Sequence, residues 1–196
     1  AVVVTGTHFS TPNAAAAQKK AIRLAKQHGG KVVFDIDYRP NLWGLAGHAA
    51  GFERYVASDR VTTMYQSILA DTDLVVGTEE EIAIAAGTSD LPAALKAIRA
   101  SNPDRPVVIG GANWSGIDSL ATLELPDDPN IYPTFHYYEP FAFTHQGAGW
   151  VKPKPPALGR VYGSAEDAQR LVTDTAKIRA YVARTGLVPF MGETGA

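Results

Sequence analysis

The chain has 196 residues, of which 45% are hydrophobic and 19% are charged, and its formal net charge is −2. This composition is typical of a globular domain, and it excludes a strongly basic surface, so we expect neither a nucleic-acid partner nor binding to anionic membranes. The absence of cysteine excludes disulfides, thiolate nucleophiles and cysteine-ligated zinc. No apolar run approaches the roughly 18 residues of a transmembrane helix. We therefore expect a soluble protein. The sequence starts inside an apparent strand, without an initiator methionine or a signal peptide, which indicates a trimmed fragment for recombinant expression in the cytoplasm.

Strand and helix signals alternate in the first hundred residues. Short apolar runs predict strands at residues 2–4, 31–37 and 73–77. A helix should begin at Thr11-Pro12 and end at Gly29, because proline suits the first helical turn and glycine a helix end. Apolar spacing predicts a second helix from about Ser58. Thr78 and Glu81 have the spacing of a capping box, which predicts a third helix.

The same alternation continues in the second half. The predicted strands are residues 106–110, 131–137 and 187–191. A long loop rich in aromatic residues and proline covers residues 139–163, and loops of this length are usually functional or mobile. Ser164 and Asp167 repeat the capping-box spacing and open a helix that should end at Gly186.

Strand followed by helix, repeated about six times, predicts an α/β fold with a parallel sheet. A TIM barrel has eight such strands, whereas six are visible here. We therefore expect about six parallel βα units in one shared sheet, as an incomplete barrel or an open curved sheet. A bare inner face would favour self-association, which makes a homo-oligomer an expected partner.

Three stretches of the first half carry a family resemblance: residues 5–12 (TGTHFSTP), 34–43 (FDIDYRPNLW) and 76–82 (VGTEEEI). By these motifs, residues 1–99 resemble a ribokinase-like (Rossmann-like) sugar kinase of the 5-dehydro-2-deoxygluconokinase type. The resemblance implies that Arg39 lies near a transferred phosphoryl group and that Glu81 is a candidate metal ligand. The Gly-Ala-Gly-Asp loop that carries the catalytic base of such kinases is absent, so we expect no kinase activity.

Four stretches of the second half carry another resemblance: residues 107–116 (VVIGGANWSG), 134–141 (TFHYYEPF), 143–147 (FTHQG) and 189–193 (PFMGE). They resemble the later strands of a glycoside hydrolase family 5 cellulase, which is a TIM-barrel enzyme. The resemblance implies that Glu193 is the nucleophile and that His136 and Tyr138 belong to the same site. It also implies that Trp114 and Trp150 flank a sugar cleft.

The second half also departs from the cellulase pattern, and some of its residues have alternative interpretations. The Asn-Glu-Pro motif that carries the acid/base carboxyl of this family occurs nowhere in the chain, although a retaining glycosidase needs two carboxyl groups. His136 also fits a hydrogen-bonded strand histidine, and with His145 it would make only a weak metal pair. The two tryptophans could equally cover the edges of the core.

We therefore interpret the chain as an engineered chimera and a single fused α/β domain, with residues 1–99 derived from a kinase and residues 100–196 from a glycosidase barrel. On this interpretation it is a designed scaffold with no evolved biochemical function, is not an enzyme and needs no cofactor. The alternatives are a residual cellulase-type hydrolase, or a module that binds sugar or phosphate weakly through Trp114, Trp150 and Arg39.

Overall fold

A computed structural model describes residues 1–46 and 55–195. Within these ranges six strands form one parallel sheet, which confirms the predicted α/β fold. The strands are β1 (Val2–Thr5), β2 (Val32–Asp35), β3 (Leu74–Thr78), β4 (Val107–Gly110), β5 (Ile131–Tyr137) and β6 (Phe190–Thr194). The α-helices are α1 (Pro12–Gln27), α2 (Asp59–Leu69), α3 (Glu79–Ala86), α4 (Leu91–Ile98), α5 (Phe141–Thr144) and α6 (Ala165–Thr185), and 3₁₀ helices cover Gly6–Ser10 and Ile117–Ala121.

The strand order is β1-β2-β3-β4-β5-β6, so each strand neighbours the next one along the chain. A doubly wound sheet would reverse its order at a switch point, whereas the strands of an α/β barrel follow chain order. The observed order is therefore that of consecutive barrel strands.

Contacts within the chain divide it into two compact units. The first comprises residues 1–109 and 125–132, and the second comprises residues 110–124 and 133–196. The predicted boundary between the segments, near residue 99, lies inside the first unit. In the described ranges, no helix combines the length and the hydrophobicity that crossing a membrane requires.

Helices α3 and α6 begin at the two predicted capping boxes. At the start of α3, Thr78 Oγ1 accepts the amide of Glu81, and the Glu81 carboxylate accepts the amide of Thr78. Ser164 and Asp167 form the same reciprocal pair at the start of α6. Both helices end at a glycine in a left-handed conformation, α3 at Gly87 and α6 at Gly186, the second as predicted.

A buried arginine connects the helix ends of the first unit. Arg105 is fully buried between α4 and β4. Its guanidinium donates to the carbonyl oxygens of Leu69 and Ile98, to the Thr72 carbonyl at 3.0 Å and to Ser101 Oγ at 2.9 Å. The last carbonyls of a helix have no partner within it and carry the negative end of its dipole. Arg105 therefore satisfies groups at the ends of both α2 and α4.

Asp73 joins the amino-terminal ends of β2 and β3. One of its carboxylate oxygens accepts the Val32 amide at 2.9 Å and Lys26 Nζ at 3.0 Å, and the other accepts Lys31 Nζ at 3.0 Å. Burial alone would raise the pKa of Asp73, but these hydrogen bonds outweigh it and lower the pKa from 3.8 to about 2.

We expect Arg105→Met to lower the free energy of unfolding by about 3 kcal/mol, because the carbonyl oxygens at the ends of α2 and α4 would lose the guanidinium as a donor. Urea unfolding followed by far-UV circular dichroism measures this change. The matched control is Arg23→Met on the exposed face of α1, which should change stability by less than about 0.5 kcal/mol. Equal effects of the two substitutions would contradict the role assigned to Arg105.

We expect Asp73→Asn to lower the free energy of unfolding by about 1–2 kcal/mol at neutral pH. The pKa of Asp73 is lower in the folded chain, so the carboxylate stabilises the fold above pH 3.8, and this contribution is lost as the pH falls through about 2. Urea unfolding of both proteins at pH 7, 4 and 2 should show the difference shrinking towards zero. A stability difference between Asp73→Asn and the wild type that stays constant over this pH range would contradict the assigned role of Asp73. The control is Asp71→Asn, at an exposed neighbouring position.

Candidate active site

Glu193 lies within the last described strand. The sequence predicts this strand at residues 187–191, but β6 begins at Phe190, three residues later. Pro189 has no amide hydrogen to donate to a strand ladder, so pairing with β5 starts after it. As a result Glu193 is part of β6 at its carboxyl end, and its side chain is 54% exposed.

A bulge in β6 brings Glu193 opposite His136. The register runs Phe135↔Met191 and then His136↔Glu193. Gly192 is therefore the extra residue, and a Cβ there would lie 2.6 Å from Thr134 Oγ1. Bulges turn a strand locally and re-aim the next side chain, and they are frequent beside active sites. The small size of Gly192 allows the bulge to pack closely against β5.

Two side chains from the end of β5 contact the Glu193 carboxylate. Tyr138 Oη donates a hydrogen bond of 2.9 Å to Glu193 Oε2. His136 Nδ1 lies 3.3 Å from the same oxygen, and its side chain is largely buried. The structure therefore brings together three residues predicted from the sequence, and their contacts fix the orientation of the carboxylate.

Tyr138 is suited to remain a donor at neutral pH. Burial raises the pKa of its phenol, and the hydrogen bond to Glu193 and the negative charge of Glu193 raise it further. Thr144 Oγ1 donates to the Tyr138 carbonyl oxygen at 2.6 Å, and the His145 ring packs edge-on against the Tyr138 ring. Thr144 lies in the stretch 143–147 that carries the family resemblance, but no local pattern predicts its contact with Tyr138.

Trp114 lies on a left-handed turn after β4. Asn113, Trp114 and Ser115 have φ angles of 57°, 58° and 55°. Three consecutive non-glycine residues in this region cost about 1–2 kcal/mol each, and such strain is concentrated at functional sites. The turn is held because Ser115 is buried and its carbonyl oxygen accepts the His136 amide at 2.7 Å. Gly110 is required here, since a Cβ would lie 1.9 Å from Ser115 Oγ.

The other predicted residues lie elsewhere. Trp150 belongs to the second unit and is 77% exposed on the loop that precedes α6. Arg39 and Glu81 belong to the first unit, where Arg39 Nε donates to Asp37 Oδ1 at 3.1 Å. The two oxygens of the buried Glu81 carboxylate accept the amides of Tyr38 and Thr78, each at 2.9 Å. The described residues contain no cluster of three or more metal-binding side chains, and a metal at Glu81 stays a prediction.

Comparison with known proteins gives two kinds of match. The family model described as cellulase (glycosyl hydrolase family 5) matches residues 89–196, which is more than half of the chain. Endoglucanase H of Acetivibrio thermocellus is 34% identical over 99 residues, which are 50% of this chain and 10% of that protein. A 5-dehydro-2-deoxygluconokinase of Mesomycoplasma hyopneumoniae is 38% identical over 81 residues, which are 41% of this chain and 20% of that protein.

Solved structures extend the first match to almost the whole chain. Cel5A of Thermotoga maritima, solved in complex with cellobiose, is 26% identical with a TM-score of 0.66. The alignment covers 95% of this chain and 61% of Cel5A. The chain therefore spans about three fifths of the solved endoglucanase and smaller fractions of the curated relatives.

The interpretation as a designed scaffold without an evolved function, and hence not an enzyme, is wrong. It rested on the missing Asn-Glu-Pro motif and on a join near residue 99. The family match begins at residue 89 and runs through that position, and the endoglucanase alignment covers nearly the whole chain. The chain lacks that motif, but the carboxyl ends of β5 and β6 still bring Glu193, Tyr138 and His136 together. The alternative of a cellulase-type hydrolase fits these findings better.

We expect Glu193→Gln to lower the pKa of Tyr138, because the substitution removes the negative charge and the charged acceptor that raise it. Titration of ¹³Cζ-labelled tyrosine by NMR measures this pKa, and Tyr138→Phe identifies the signal. The control is Glu139→Gln, which removes the neighbouring carboxylate that pairs with Arg170. The same Tyr138 pKa in the wild type and in Glu193→Gln would contradict the contact.

Proposed function

Because the chain belongs to the cellulase family, glycosyl hydrolase family 5, we propose that it takes part in retaining hydrolysis of β-1,4-glucan. The endoglucanase relatives and the cellobiose complex of Thermotoga maritima Cel5A support this class of substrate. The chain covers only part of those proteins. Its hydrolytic activity is therefore a proposal. The observation that carries it is the Glu193 carboxylate held between Tyr138 and His136.

Glu193 has the chemistry of the nucleophile. In a retaining glycosidase a carboxylate attacks the anomeric carbon, and a covalent glycosyl-enzyme forms as the glycosidic bond breaks. Water then releases the sugar and restores the carboxylate. Tyr138 donates to Glu193 Oε2, so the phenol orients the carboxylate before attack. The same hydrogen bond stabilises the negative charge of the carboxylate when the sugar is released. His136 adds a second polar contact to the same oxygen.

Cleavage of a natural glucan also needs a general acid, because the departing sugar oxygen must be protonated by a second carboxyl group. A 2,4-dinitrophenyl leaving group departs as a stable anion and needs no such proton. The first covalent step can therefore be tested on Glu193 alone.

Trp114 and Trp150 would bind sugar rings of the substrate. Both expose a large part of the indole to solvent, and an exposed aromatic face is suited to pack on the apolar face of a sugar. Phosphate binding at Arg39, self-association and the cellular compartment stay predictions.

The kinase similarity supports a mixed origin of the chain, since 81 residues match a sugar kinase at 38% identity. That the two segments were joined by engineering stays a prediction. Sequencing of natural genes that encode this region would test it, because one uninterrupted natural gene would contradict an engineered join.

We expect 2,4-dinitrophenyl 2-deoxy-2-fluoro-β-cellobioside to label Glu193 with one 2-deoxy-2-fluorocellobiosyl group per chain, because the fluorine slows release of the covalent intermediate. Intact-mass and peptide mass spectrometry measure the label, and dinitrophenol absorbance measures its rate. Glu193→Gln should remove labelling, and Tyr138→Phe should slow it by about 10–100-fold because it loses one hydrogen bond to the carboxylate.

The control for this experiment is Glu124→Gln, an exposed carboxylate of the second unit, which should be labelled at the wild-type rate. Circular dichroism establishes that each variant is folded. A labelled Glu193→Gln, or a wild-type protein that takes up no label, would contradict the proposal.

A further inference from the structure

A loop between α5 and α6 presents Trp150 to solvent. We call residues 147–158 the platform loop. Trp150 is 77% exposed, which is unusual for so large an apolar side chain. The turn around it is ordered by a hydrogen bond of 3.0 Å from the Val151 amide to the Ala148 carbonyl oxygen. Exposed aromatic surface on an ordered loop is typical of a binding site.

Gln146 closes the base of the platform loop. Its side-chain oxygen accepts the amides of Gly159 at 2.8 Å and of Arg160 at 3.1 Å. Its side-chain nitrogen donates to the Arg160 carbonyl oxygen at 3.1 Å. One amide side chain thus pins the two ends of the loop through three hydrogen bonds to backbone. Within the loop, the Gly147 amide donates to the Pro156 carbonyl oxygen at 2.9 Å, which brings the first and the last part of the loop together.

The closure is anchored to the start of α6. The Arg160 guanidinium pairs with the carboxylate of Asp167, which is buried. The same carboxylate accepts the amides of Gly163 at 2.9 Å and Ser164 at 3.0 Å, and so caps the helix. A continuous series of polar contacts therefore runs from the cap of α6 through Arg160 to Gln146.

We propose that Gln146 is a positioning residue that keeps the platform loop preformed, so that Trp150 is held ready to stack on a β-glucan chain. The choice of β-glucan as the ligand rests on the proposed function. The new element is Gln146, the residue that organises the binding surface. Ordering a flexible loop during binding costs conformational entropy, and a preformed loop avoids that cost. Gln146 acts through Trp150 and has no role in the covalent step at Glu193.

The test compares three variants with the wild-type chain. Gln146→Met keeps the length of the side chain but removes all three hydrogen bonds. Gln146→Glu keeps an acceptor for the amides of Gly159 and Arg160 and loses only the donor, so it should retain most of the closure. The control is Gln169→Met, which makes the same chemical change on an exposed position of α6.

The first measurement is the rate of chymotrypsin cleavage after Trp150, followed by mass spectrometry. We expect cleavage of Gln146→Met to be at least about 10-fold faster than that of the wild type, because local opening precedes proteolysis. Gln146→Glu should lie between the two, and Gln169→Met should match the wild type. Equal cleavage rates in Gln146→Met and the wild type would overturn the closure, and far-UV circular dichroism separates local opening from global unfolding.

The second measurement is the affinity for cellotetraose by isothermal titration calorimetry. We expect Gln146→Met to bind about 5–10-fold more weakly, an effect of the size that lost preorganisation produces. In a Trp150→Ala background, Gln146→Met should have no further effect, because its action passes through the indole. Additive losses in the double variant, or no binding of cellotetraose by the wild type, would overturn the proposed platform. Labelling of Glu193 is independent of both measurements, so the proposed chemistry can fail or succeed separately.

Discussion

A single buried guanidinium holds together the helix ends of the first unit. Burying a charge is costly unless its hydrogen bonds are satisfied, and Arg105 satisfies its own with carbonyl oxygens and one hydroxyl. The same contacts give a charged donor to the carbonyls of Leu69 and Ile98, which are the last residues of α2 and α4. Arg105 lies in the connection from α4 to β4, close to the expected join between two parent segments. That connection is therefore part of the core of the first unit and not a tether.

The candidate active site depends on strand register in the second unit. Glu193 faces His136 only because Gly192 is the extra residue of a bulge. A one-residue change of register in a strand exchanges the two faces, so a sheet without this bulge would direct Glu193 away from Tyr138. Close packing of Gly192 on Thr134 explains why no larger residue fits this position.

Similarity to both an endoglucanase and a sugar kinase has a structural explanation. Both fold types are built from βα units that share strand composition, helix caps and glycine stops, so local sequence patterns alone do not distinguish them. The order of the strands does distinguish them, because sequential order without a switch point is the order of a barrel. Function is then decided by the groups gathered at the strand ends, where Glu193, Tyr138 and His136 meet.

Local features of the chain could be predicted from the sequence because their causes lie within a few residues. The capping boxes at Thr78 and Ser164 and the glycine stops are of this kind, as is the alternation of strands and helices. Motif resemblance also singled out the three residues of the candidate site. β6 starts three residues later than the apolar pattern predicts, because pairing with β5 sets its start.

Only the tertiary structure decided the contacts between residues that are distant in sequence. Tyr138 and Glu193 are 55 positions apart, and Arg105 reaches Leu69 across 36 positions, so no local pattern encodes either pair. The closure of the platform loop likewise depends on tertiary structure, because Gln146 bonds to Gly159 and Arg160 at the far end of the loop. Sequence determined the type of βα unit through short-range propensity, whereas packing in three dimensions determined which side chains meet and hence which chemistry the site supports.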